Sequence, residues 1–404
     1  MQKRLLFLSF ISLLILTSFR PGGAENGVTV LSQDVEYEFG EQLRFEASIE
    51  SQEQIESVEL VLAAPGVPTF IGSVTYSSPD ELRFVYDLNQ RPLRLFSTVS
   101  YRYRFRTEGG EEFNSQTYTF PYVDNRFQWQ TLASDKFNVY WYEGDVTFAR
   151  DVLDAAEAGR EEVLELIQRP KNSRQISIYV YARQEDLQST LALSESSWVG
   201  GHADPELGSV VVALPPGADR DLQVQRQIPH EITHVMLYRF MGDGYQYLPR
   251  WANEGIASHM ELFPNPEYDI LLEKAHQEGQ LIPVRDLCHS LPGDPDQIRL
   301  AYAASSSVMS YIMREYGITA VRSLISAYDQ GVSCERGVEM ALNRSLDTLE
   351  REWKRDVFGG GVWAAIGGRY LPVLIGVGVL CVAVFGFIVR RRIVRKSDED
   401  GGHS

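Results

Sequence analysis

The chain has 404 residues, enough for two or three domains that each bury a core. Its 38 basic and 55 acidic residues give a formal charge of -17. Outside the two termini no basic cluster is dense enough to neutralise phosphates, which excludes nucleic acid as a partner.

The chain opens with MQKRLLFLSFISLLILTSFRPGGA. Lys3 and Arg4 precede an apolar run from Leu5 to Phe19, and Gly22 and Ala24 supply small residues for cleavage. Residues 1–24 therefore read as a secretory signal peptide, with an uncleaved anchor as the alternative. Residues 25–121 read as a small all-β sandwich (Ig-like): short runs such as ELRFVYDL, VSYRYRFRTEGG and SQTYTFPYV alternate in polarity between Gly, Pro, Asn and Asp turns. In YRYRFR, Tyr101, Tyr103 and Phe105 share one face, and Arg102, Arg104 and Arg106 take the solvated one.

From residue 122 the period changes. TFARDVLDAAEAGREEVLELIQRP reads as a helix ending at Pro170, and RQISIYVYA and LGSVVVALPP read as strands. After the histidine helix the chain reads as mostly helical, through SSSVMSYIMREYG, TAVRSLISAYDQ and CERGVEMALNRSLDTLEREWKRDV. A sheet followed by helices implies an α+β domain over residues 122–358. Gly-rich residues 359–369 form a join. YLPVLIGVGVLCVAVFGFIV, residues 370–389, has the length of a transmembrane helix. Arg390, Arg391, Arg392, Arg395 and Lys396 follow at once, so residues 390–404 are expected as a cytoplasmic tail below a single-pass, cell-membrane ectodomain. Cys381 falls in the span. Export permits a Cys288–Cys334 bond, but no spacing pattern demands one.

The chemistry centres on QIPHEITHVMLYRF, residues 227–240. On a helix, His230 and His234 present two imidazoles on one face, with Glu231 beside them. Pro229 either opens this helix or interrupts one that begins upstream, near Gln223. Neutral nitrogen ligands suit Zn2+, and Glu254 in PRWANEGIASHME offers a third, carboxylate ligand after a loop of suitable length. Two histidines and a carboxylate leave a fourth position for water, from which Glu231 can accept a proton as general base.

HEITH followed by NEGIAS resembles the gluzincin zinc metallopeptidases, the thermolysin-like and aminopeptidase-like group with a peptidase MA-like domain. The likeness spans about residues 125–355. It implies a zincin-like fold, His230, His234 and Glu254 as zinc ligands, Glu231 as base and proton shuttle, and hydrolysis of peptide bonds. It also implies that Val210–Ala213 is an edge strand that holds an extended peptide, and that Tyr302 donates to the oxyanion. A core role for Tyr302 is the alternative. No G-x-M-E-N exopeptidase signature and no metzincin third histidine is present. His202, in WVGGHADPE, either lines the cleft or sits in a loop without duty. A different class of reading makes the ectodomain a ligand-binding or adhesion receptor whose zinc is structural and inactive, but such a module has no physical need of a base beside its metal ligands.

Overall fold

The computed structural model describes residues 27–78, 80–167, 174–194 and 201–359. The expected signal peptide, transmembrane segment 370–389 and tail lie outside the described residues. Among the described residues, no helix is long and apolar enough to cross a membrane. Close contacts divide the chain into two compact units, the first running to Gln128 and including a short return segment at 190–194.

The first unit is all-β. One antiparallel sheet has the order β1 (Val28–Glu38), β2 (Gln42–Ser51), β6 (Glu81–Asp87), β5 (Thr75–Ser78). The other runs β4 (Phe70–Ser73), β3 (Ile55–Ala63), β7 (Ser97–Thr107), β8 (Glu112–Asn114), with β9 (Tyr118–Tyr122) also paired to β7. Both contribute to one core: Phe45 of β2 meets Tyr101 of β7 edge-on, with ring centroids 4.9 Å apart. The YRYRFR alternation holds, since Tyr101, Tyr103 and Phe105 are buried and Arg106 is exposed. On the outer face Arg104 donates to its cross-strand partner Glu59 at 2.7 Å. Opposite charges placed directly across a strand pair reinforce that register.

The second unit begins at Trp129 with a five-stranded mixed sheet. Its order is β10 (Gln130–Ala133), β11 (Phe137–Trp141), β12 (Ile176–Tyr181), β14 (Ser209–Ala213), β13 (Gly201–Asp204). The crossover from β11 to its parallel neighbour β12 is α1 (Val146–Leu166). Asp145 caps α1 by accepting from the Thr147 and Phe148 amides. A short helix, α2 (Gln184–Leu191), follows β12.

This order corrects the expected edge. Val210–Ala213 is not an edge strand: β14 bonds to β12 on one side and β13 on the other, and all five of its residues are buried. An apolar run such as Val210–Ala213 suits a strand covered on both faces. The outer strand is β13, with Gly201 opposite Val212 and Asp204 opposite Ser209.

The histidine helix is α3 (Arg220–Met241), and it packs on α1, β13 and β14. It begins upstream of Pro229, which therefore sits inside it. Next come α4 (Arg250–His259), α5 (Glu267–Gln277), α6 (Pro295–Tyr316) and α7 (Ile318–Asp329). The run after Cys334 is not one helix but two, α8 (Cys334–Leu342) and α9 (Leu346–Phe358). Asn343 adopts a left-handed φ of 53° and ends the first, and the Ser345 side chain caps the second by accepting from the Thr348 amide. Cys288 and Cys334 form a disulfide.

Candidate metal centre

Two helices build the site. The four-residue spacing on α3 brings the His230 and His234 rings to a centroid separation of 5.1 Å. From α4, Glu254 Oε2 lies 3.4 Å from His230 Nε2 and 3.5 Å from His234 Nε2. α4 is held close to α6: a Cβ on Gly255 would stand 2.6 Å from the Ser305 carbonyl oxygen, so only glycine fits beside Glu254. His230, His234 and Glu254 are all buried.

The residues fit a cation. Glu254 Oε2 is buried and accepts no hydrogen bond among the described residues, despite facing two ring nitrogens. Such an orphan is costly unless something positive completes it. Tetrahedral ligands at roughly 2.0–2.1 Å from zinc stand about 3.4 Å from one another, which matches the two nitrogen–carboxylate distances. Burial opposes a charge on His230, but the Glu254 and Glu261 carboxylates that face its two ring nitrogens and the nearby Glu231 charge overcome it, pushing its pKa up to about 10. Glu254 is also desolvated, yet the His234 and His230 imidazoles hold its carboxyl far below the usual range. A carboxylate that stays ionised while buried between two imidazoles is ready to hold a metal cation.

Outer contacts orient both imidazoles. His234 Nδ1 lies 3.1 Å from Asn253 Oδ1, and Asn253 Nδ2 donates to the Tyr245 hydroxyl at 3.0 Å. His230 Nδ1 lies 3.1 Å from Glu261 Oε1. An oxygen acceptor on each Nδ1 places the ring proton there and leaves the Nε2 lone pair for the metal.

Neither Glu261 nor Tyr245 is singled out by the motif, and Glu261 owes its place to Pro229. A proline at position 229 has no N–H for the Gln225 carbonyl four residues back. The freed Gln225 carbonyl accepts instead from the Leu262 amide at 3.0 Å, and this fixes the segment just past α4 that carries Glu261. Glu261→Gln should therefore weaken zinc affinity about 10- to 100-fold without unfolding the protein, as read by competition with a chromogenic chelator. Unchanged affinity would remove Glu261 from the support of the metal.

Glu231 is buried next to the two histidines, and its carboxylate has no ion-pair partner among the described residues. It lies against the edge strand, since a Cβ on Gly201 would meet Glu231 Oε1 at 2.7 Å. Tyr302, on α6, places its ring 6.0 Å from the His230 ring. Burial raises its phenol well above the ordinary value, and the Glu254 and Glu231 charges add to that, so it remains a hydroxyl donor. His202 sits on β13 paired with Val211, not in a loop.

Comparison with known proteins bears on the same region. No curated protein matches the chain. The solved structure titled "Crystal structure of Br derivative BhCBM56" aligns at 12% identity over 26% of this chain and 95% of its own, with a TM-score of 0.19, too low to carry any argument. Residues 164–359 match the family model of the Peptidase MA superfamily, and that interval contains α3, α4 and α6 with every residue of the centre just described. The chain thus carries a gluzincin-type, peptidase MA-like domain.

Proposed function

We propose that the protein is a zinc metallopeptidase that hydrolyses peptide bonds outside the cell while anchored to the membrane through residues 370–389. The observation that carries the chemistry is the buried Glu254 Oε2, which accepts no hydrogen bond among the described residues and faces two oriented imidazoles. His230, His234 and Glu254 would hold the ion, and a zinc ion there supplies Lewis acidity toward a carbonyl and acidifies water.

The remaining roles belong to the chain's own groups. Glu231, without an ion-pair partner among the described residues, accepts a proton from the attacking water and returns it to the leaving amine. Tyr302 stays protonated and donates to the developing oxyanion. β13 is the outer strand and passes beside Glu231, which supports binding of an extended peptide along it by strand addition. The strand named by resemblance, β14, has no free edge to offer.

The direct test is a quenched-fluorescence peptide library incubated with the full chain before and after chelation. Cleavage that stops with chelator and returns with added zinc supports the proposal. Metal-loaded protein that cleaves no peptide contradicts it. Membrane anchoring is tested separately: the full chain should resist extraction by alkaline carbonate, and deletion of residues 370–389 should release it.

A further inference from the structure

Seven buried side-chain polar atoms make no hydrogen bond among the described residues, and six of them lie on α3, α4 and α6. Such groups are costly, and a cluster of them calls for something that completes it. A cation accounts for Glu254 Oε2. Gln223 Oε1 and Gln227 Oε1, on α3 upstream of the histidines, have no such explanation.

At 3.6 residues per turn, Gln223, Gln227, His230, Glu231 and His234 fall within a sector of about 100° of α3. The two carboxamides therefore continue the metal-facing stripe of the helix upstream of His230. Chain segments flank that stripe on both sides. Gly201 of β13 lies against Glu231. On the other side His230 meets Glu261, and Arg226 donates to the Phe263 carbonyl at 3.2 Å. Gln223 and Gln227, each half-buried, form the floor between β13 and the segment after α4.

We infer that Gln223 and Gln227 form a substrate subsite that takes a side chain bearing N–H donors. The inference rests on the peptidase reading and names the substrates it favours. The atoms turned inward are acceptors, and Glu231, Glu254 and Glu261 add negative charge around the same histidines. A donor fits there and an acid does not. Gln227 stands about 6 Å along the helix axis from Glu231, less than the span of two extended residues. It thus meets a side chain within two positions of the attacked bond. The donor is either the carboxamide of Asn or Gln or the cation of Lys or Arg. An apolar side chain would leave both oxygens as they are, without a partner. The competing account is that enclosed water satisfies them and no substrate group does.

The experiment uses the zinc-loaded full chain and quenched peptides carrying Gln, Lys, Met or Glu in turn at the two positions on either side of the cleaved bond. One position should favour Gln or Lys over Met by about 10-fold or more in kcat/KM, and the better of the two identifies the donor. Gln227→Met should bring that ratio to about one, and Gln223→Met should lower it. Gln227→Glu, which keeps an acceptor, should retain the preference for Lys. Without substrate, Gln227→Met protein should melt no lower than the unaltered chain, because it loses a buried group that nothing satisfies. A ratio near one at every position, or a ratio that both Met variants leave unchanged, would overturn the subsite. Metal-loaded protein that cleaves none of these peptides would sink the peptidase reading, and the subsite is then read by calorimetric titration of the same peptides. Gln227-dependent binding of the donor form would keep the subsite. Equal affinity for donor and Met forms would overturn it.

Discussion

Glu231→Gln protein is expected to keep its metal and lose peptide hydrolysis by about 10²- to 10⁴-fold in kcat, with KM little changed. The reason is geometric. Glu231 leaves the three ligand atoms alone and lies against Gly201 of the outer strand. Glutamine has nearly the same shape, so the cleft keeps its form and only the proton acceptor is lost. Paired measurements of zinc per chain and kcat check both halves. A variant that retains most of its activity would remove Glu231 from the chemistry. One that loses its zinc would make Glu231 part of the metal's support instead.

The second large effect concerns stability. The Cys288–Cys334 bond closes a loop with a sequence separation of 46. Chain-entropy reasoning assigns such a loop about 4 kcal/mol, most of it from restricting the unfolded chain. Cys288→Ala/Cys334→Ala should therefore melt roughly 8–16 °C lower, given about 2–4 °C per kcal/mol for a domain of this size. The bond also buttresses the helix that carries Glu254. The Arg250 amide donates to the Cys288 carbonyl at 3.2 Å, and Trp251 Nε1 lies 3.3 Å from Cys334 Sγ. Differential scanning calorimetry of oxidised protein and the double variant tests this. Equal melting temperatures would show that the loop was already restricted without the bond.

Much of the centre could be read from local pattern. His230 and His234 are four apart on one helix, and that spacing alone fixes their shared face. Glu254 follows on the next long helix, so one loop suffices to bring it in. The β-sandwich was equally accessible, because alternation in YRYRFR maps directly onto a buried and an open face.

What escaped the sequence depends on contacts between segments. Glu261 lies beyond the end of α4, and nothing in HEITH or NEGIAS points to it; its place follows from the carbonyl that Pro229 frees for the Leu262 amide. The edge assignment went to the wrong strand because β14 reads plainly as a strand. The true edge, β13, is four residues that include glycine and aspartate and looks like a loop. In retrospect the unbroken apolar run of β14 signals an interior position. The break between α8 and α9 was written locally, in Asn343 and Ser345, but helical periodicity on either side masked it.

The most direct test of the account is the zinc content of the purified full chain beside Glu254→Gln protein, by inductively coupled plasma mass spectrometry after dialysis. The account requires about one zinc per chain in the unaltered protein and a clear loss in the variant. Folded, zinc-free protein that takes up no added metal would contradict the metal centre outright. Equal zinc in both proteins would keep the centre and remove Glu254 from it.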